Sequence, residues 1–142
     1  SSYSETTIRT AKSLGLLDRL NVHLLHVFDV PATALMSRAS LSDFEKQAFV
    51  MGERKRASEE VTSFIDRVNV KGMGMFLKPA TVDTAETICS TAEELSAELI
   101  VIGTCGRSMI ARALMGSVTE GVLRNSDRDV LAIPPSQNRA VS

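Results

Sequence analysis

Apolar and polar positions along the chain fall into alternating helical and strand-like stretches. Ile8, Ala11 and Leu14 recur at helical spacing behind Ser2-x-x-Glu5, which reads as a capping box. Val22-His23-Leu24-Leu25-His26-Val27-Phe28 follows, apolar on both faces as expected of a strand in a buried parallel sheet. A loop over residues 29–41 carries Pro31. Ser42-x-x-Glu45 marks a second helix start, and Phe44, Ala48, Met51, Val61, Ile65 and Val68 trace its expected inner stripe. Glu53-Arg54-Lys55-Arg56 and Glu59-Glu60 make a charged, solvated face. A weaker strand covers residues 73–77 ahead of Pro79, and Asp83-x-x-Glu86 opens a third helix with Ile88, Ala92 and Leu95 inward. Leu99-Ile100-Val101-Ile102 is an unbroken apolar strand. A helix over residues 117–125 and a last strand, Val130-Leu131-Ala132-Ile133, complete the pattern. Pro134-Pro135 stops it, and the tail over residues 134–142 is expected to fray.

Helices alternating with strands imply an α/β fold, a doubly wound parallel sheet of flavodoxin or Rossmann-like type with both faces covered. Residues 1–142 read as one domain of 15.4 kDa, large enough for a core of its own. Such a domain normally opens on a strand, and this sequence opens on a helix. The first strand is therefore expected to be missing here, as in a fragment or a domain completed by another segment.

The chemistry concentrates in residues 99–117, LIVIGTCGRSMIARALMGS. A buried strand runs into Gly103, Gly106 follows after two residues, and Gly116-Ser117 after nine more. This G-x2-G-x9-G-[ST] spacing is neither the GxGxxG of dinucleotide folds nor the GxxxxGK[ST] of P-loops. Gly103 is expected to let the chain leave the strand in a conformation that a Cβ would forbid. Gly106 admits a close ligand, and the residues between it and Gly116 form an arm able to cover a triphosphate. Gly116, Ser117 and Val118 then present N–H groups at the positive end of a helix dipole, with the Ser117 hydroxyl beside them. Three glycines at fixed offsets arise by chance in roughly 5% of chains this long, at a glycine frequency of ~7%. A glycine turn that binds nothing is the plainer alternative.

Composition narrows the field. The chain is 44% hydrophobic with a net charge of −1 from 16 basic and 17 acidic residues, which argues against a nucleic-acid surface. There is no Trp and one Tyr for bases to stack on. No apolar run reaches the ~20 residues of a membrane span, and no secretory signal is evident. Cys89, expected to be buried in a helix, and Cys105, in the glycine loop, match no metal or redox spacing, which points to a reduced, cytoplasmic compartment.

In this order of elements the sequence resembles the universal stress protein family. The resemblance rests on Gly103, Gly106, Gly116 and Ser117 with the SVTEGVLRNSDRDVLAIP that follows. It extends to HLLHVFDV, residues 23–30, as the family's second strand and SSYSETTIRTAKSL as its first helix. Two departures stand out: nothing precedes Ser1 to supply a first strand with its aspartate, and Asp129 stands where a proline commonly precedes the last strand. The resemblance implies strand order 3-2-1-4-5 and an adenine-nucleotide-binding regulatory protein, holding ATP or its ADP and AMP relatives, with or without Mg2+. It implies a homodimer paired through the last strand, residues 130–133. Residue by residue, Gly103, Gly106, Gly116, Ser117 and Val118 would hold phosphates and ribose, Val27 would pack on adenine, and Ile102 would lie beside ribose or base. Arg107 would neutralise phosphate charge, or be a surface arginine with no ligand.

Two rivals remain open: a slow ATP hydrolase of the adenine-nucleotide α-hydrolase type, and a non-binding structural or dimerisation module. Phosphoryl chemistry needs a residue that orients water. Ser108, Ser117 and Glu120 lie near the arm, but no Asp or His does so in a position the motif explains, and no catalytic residue is assigned. His23 and His26 point to opposite faces of one strand and read as packing residues rather than a metal pair. Met109 and Met115 could let the arm adapt, the other methionines fill the core, and Glu120 is a favourable charge in a first helical turn.

Overall fold

The computed structural model describes residues 2–18, 21–30, 42–70, 72–80, 83–105 and 115–135. Their order is α1 (Ser2–Ser13), β1 (His23–Asp29), α2 (Asp43–Val68), β2 (Gly74–Ala80), α3 (Thr84–Glu94), β3 (Leu99–Gly103), α4 (Ser117–Asn125) and β4 (Asp129–Ile133). This is the alternation of an α/β fold. The chain divides into two compact units, residues 21–87 and residues 1–20 with 88–142.

In the first unit β1 and β2 are parallel, in register from His23 opposite Gly74 to Asp29 opposite Ala80. α2 packs on both strands. Phe28, Ala57, Val61, Phe64, Val68 and Val70 are buried. β2 continues through Pro79, beyond the expected end at residue 77. Proline removes a donor from the ladder, and β2 tolerates it because β1 is its one strand partner among the described residues.

The expected inner stripe of α2 is half wrong. Ala57, Val61, Phe64 and Val68 face the core, while Phe44, Ala48 and Met51 are exposed. Ten residues separate Met51 from Val61, about 2.8 turns, which leaves the two halves of that stripe roughly 80° out of phase. The buried phase instead runs back through half-buried Glu53, Val50, Phe49 and Lys46. Ser42 caps the helix as expected: its hydroxyl accepts from the Glu45 N–H, and its own N–H donates to Glu45 Oε2 at 2.8 Å. That N–H and then the Ser42 hydroxyl hold the Glu45 carboxyl below its ordinary range.

In the second unit β3 and β4 are parallel, from Leu99 opposite Asp129 to Gly103 opposite Ile133. α1 packs on β3 and α4 on β4. Ala11, Ile100, Val122 and Ile133 are buried. α1 begins at Ser2, so Ser2 is a helical residue and not the cap that the S-x-x-E spacing suggested. The helix ends by a left-handed Gly15, φ 72°, with the Leu16 N–H returning to Ala11 O. Leu14, expected on the inner face, lies in that turn and is exposed.

At α3 the Asp83 carboxylate accepts from the Ala85 N–H at 3.1 Å. Ala85, Thr87, Thr91 and Ala92 are buried, and the expected inward residues Ile88 and Leu95 are half-buried. No ladder joins the β1–β2 pair to the β3–β4 pair among the described residues. These pairs are the 3-2 and 4-5 neighbours of the order that the resemblance implied.

Candidate functional site

Three hydrogen bonds fasten the end of β3 to β4 and to the start of α4. The Thr104 N–H donates to Ile133 O at 2.9 Å, the Gly116 N–H to Thr104 O at 2.8 Å, and Thr119 Oγ1 to Gly103 O at 2.9 Å. The carboxyl ends of both strands and the first turn of α4 therefore meet, in the place where α/β folds form ligand crevices.

Gly116 is the cap residue of α4, at φ −66° and ψ 148°, with no side-chain cap hydrogen bond. Its own N–H is committed to Thr104, so the donors that lack an intrahelical acceptor begin at Ser117 and continue through Val118 and Thr119. The Glu120 N–H closes the first turn on Gly116 O at 3.0 Å. The Ser117 side chain is exposed, and Val118 is half-buried. This donor set, at the positive end of a helix dipole, suits an anionic oxygen. The one carboxylate in the turn, Glu120, is held by Arg124 at 2.7 Å in an exposed ion pair. It is thus neutralised locally, though such a pair adds little to stability.

Gly103 has a different task from the one its position suggested. It lies within β3, and the left-handed glycines among the described residues are Gly15 and Gly72. What Gly103 provides is space: a Cβ there would stand 2.7 Å from Thr7 Oγ1 on α1. Ile102 is half-buried and pairs with Ala132. Val27 belongs to the other unit, half-buried on β1 opposite Lys78. Gly106, Arg107, Ser108 and Met109 lie outside the described residues. Thr7 and Thr119 escaped the sequence reading. Thr119 had a weak signal, a hydroxyl in a first helical turn; Thr7 had none.

Cys89 and Cys105 are both half-buried and neither is in a disulfide, so Cys89 is less enclosed than expected. The His23 ring stands edge-on to Phe76, centroids 5.3 Å apart, where the glycine opposite, Gly74, leaves it room. No three His, Cys, Asp or Glu side chains converge as metal ligands among the described residues.

The sequence profile of the universal stress protein family matches residues 1–134. The chain belongs to this family. Universal stress protein E homolog of Haemophilus influenzae is 26% identical over 136 residues, covering 95% of this chain and 43% of that protein. The chain thus spans less than half the length of that relative. Universal stress protein MJ0577 of Methanocaldococcus jannaschii is 24% identical over 94% of this chain and 88% of its own length. Its solved structure superposes with a TM-score of 0.66, covering 96% of this chain and 90% of that one. A universal stress protein solved in complex with cAMP has a TM-score of 0.50 at 24% identity, covering 96% of this chain and 91% of its own. These likenesses establish the α/β fold. Among the described residues no helix is long and apolar enough to cross a membrane.

Proposed function

We propose that this chain is a nucleotide-binding regulatory domain that holds an adenine nucleotide, ATP foremost, with little or no turnover. The observation that carries this reading is the glycine-capped start of α4, which leaves its first N–H groups without a side-chain acceptor beside the end of β3. The family's cAMP complex supports the choice of an adenine nucleotide. In this reading the Ser117 and Val118 N–H groups and the Ser117 hydroxyl hold phosphate oxygens, and Gly116 leaves room for them. Gly106 and Arg107 contribute from the arm, and Mg2+ accompanies a bound triphosphate as counter-ion. Ile102 lies against the ribose or base. Val27 keeps the adenine-packing role that the resemblance implies as a proposal of its own.

In this reading Glu120 is a favourable charge in the first turn of α4 and not a catalytic base. A homodimer through β4, over residues 130–133, belongs to the same proposal, as does residence in the cytoplasm. The test is to denature the purified protein and identify released small molecules by mass spectrometry, followed by calorimetric titration with ATP and Mg2+. Stoichiometric ATP, ADP or AMP, or a saturable heat on titration, is the expected result. Neither release nor heat would move the assignment to a non-binding structural module, and release of ADP alone from protein loaded with ATP would favour the hydrolase.

A further inference from the structure

α2 carries a second apolar stripe that its own unit leaves uncovered. Phe44, Ala48 and Met51 stand at i, i+4 and i+7, and Lys55 continues the line. This stripe lies roughly 140° around the helix from the buried face of Ala57, Val61, Phe64 and Val68. Phe44 is 80% exposed and Met51 71%. The stripe's ends differ in net charge. At one, Asp43 and Glu45 outnumber Lys46, which pairs with Asp43; at the other, Arg54, Lys55 and Arg56 outnumber Glu53, which pairs with Arg56.

That arrangement complements itself. A two-fold rotation with its axis near Ala48 lays the acidic end of one helix against the basic end of the other, which is the condition for an isologous contact. In this register Phe44 of each copy faces Met51 of the other. Lys46, Gln47, Val50 and Met51 line a shallow, open dip beside that position. Gly52 supplies an independent sign. A Cβ there meets nothing within 4 Å, so nothing in the chain's own packing asks for glycine. Glycine inside a helix also costs stability relative to alanine. Together with Ala48, one turn before it, Gly52 leaves a smooth flank on which a second helix can approach closely.

We propose that α2 pairs antiparallel with α2 of a second copy of this chain. One helix face is smaller than the ~800 Å² per partner of a stable interface, so the pairing is weak and depends on concentration. It is independent of the nucleotide reading and of the β4 edge.

Sedimentation velocity of the full chain over a wide concentration range tests it, using Phe44→Asp, Met51→Asp, Lys55→Glu and Gly52→Ala. The two aspartate variants should weaken self-association at least tenfold while melting like the wild type in dilute solution, since neither side chain is in the core. Lys55→Glu should weaken it several-fold. Gly52→Ala should raise the melting temperature and weaken association together, whereas a glycine with no neighbour would raise the one and leave the other unchanged. A wild type that stays monomeric overturns the proposal. So does association that Phe44→Asp and Met51→Asp leave intact, which would assign the oligomer to another surface such as the β4 edge.

Discussion

Two helix starts in this chain meet the same physical demand in opposite ways. Every helix begins with N–H groups that have no intrahelical acceptor. At α2 the chain satisfies its own: Ser42 and Glu45 close a reciprocal pair of hydrogen bonds. α3 does likewise with Asp83. At α4 the cap is Gly116, which has no side chain to offer, and the helix is held in place from behind by Thr119 and by the Gly116 N–H itself. A start that caps itself is finished as structure. A start that is anchored through its backbone and left uncapped keeps its dipole and donors for something from outside.

Giving α4 a cap of its own breaks this contrast most strongly. Gly116→Asp is compatible with φ −66°, and it should alter stability by only a few tenths of a kcal/mol, as glycine and aspartate caps differ little. Its carboxylate would occupy the donors and repel phosphate, lowering ATP affinity about 100-fold, or about 2.8 kcal/mol at 1.4 per decade. Calorimetry and thermal melts on the same sample check both halves.

Next in size is the packing behind the site. Gly103→Ala should destabilise by about 1–3 kcal/mol through the clash with Thr7 Oγ1, and Thr7→Ala in the same chain should recover most of it. Denaturant melts of the two single variants and the double variant measure this directly. Thr119→Val deletes the bond to Gly103 O and should cost about 1–2 kcal/mol, because Thr119 is 2% exposed and the carbonyl loses its partner. ATP affinity should fall with it as the start of α4 loosens.

The self-capped start responds to pH instead of to nucleotide. Ser42→Ala should cost about 1 kcal/mol at neutral pH and leave ATP binding unchanged. The Glu45 carboxyl is held below its ordinary range by the Ser42 N–H and hydroxyl, so its contribution is fully present above that range. It is lost as the pH falls through the lowered folded-state value. The gap in melting temperature between wild type and Ser42→Ala should therefore narrow in acid, as the hydroxyl loses its bond to the carboxylate. It should keep the part due to the hydroxyl's bond from the Glu45 N–H. A gap equally wide at every pH would contradict the link between the Ser42 hydroxyl and the Glu45 charge.

Element types were legible in the sequence because their causes are local. The Ser42–Glu45 and Asp83 signals cap the helices they announced, and the apolar run at residues 99–102 is β3. The phase of α2 was not legible, because this helix carries two apolar stripes and only contact with β1 and β2 decides which faces inward. Pro79 misled for a similar reason: whether a strand tolerates proline depends on its having an unpaired side. At the site, the glycine spacing found the place where β3 and α4 meet. It misjudged the purpose of Gly103, since Thr7 reaches that residue from a distant helix, and it passed over Thr119.

In the proposed function the start of α4, unlike that of α2, receives an anionic ligand. An amide-resolved NMR titration of the ¹⁵N-labelled protein with ATP and Mg2+ tests this most directly. Saturable shifts of the Ser117, Val118 and Thr119 N–H resonances are expected, with those of Ser42 and Glu45 unmoved. Saturation that leaves the three α4 amides unmoved, or no saturable shift at all, would contradict it.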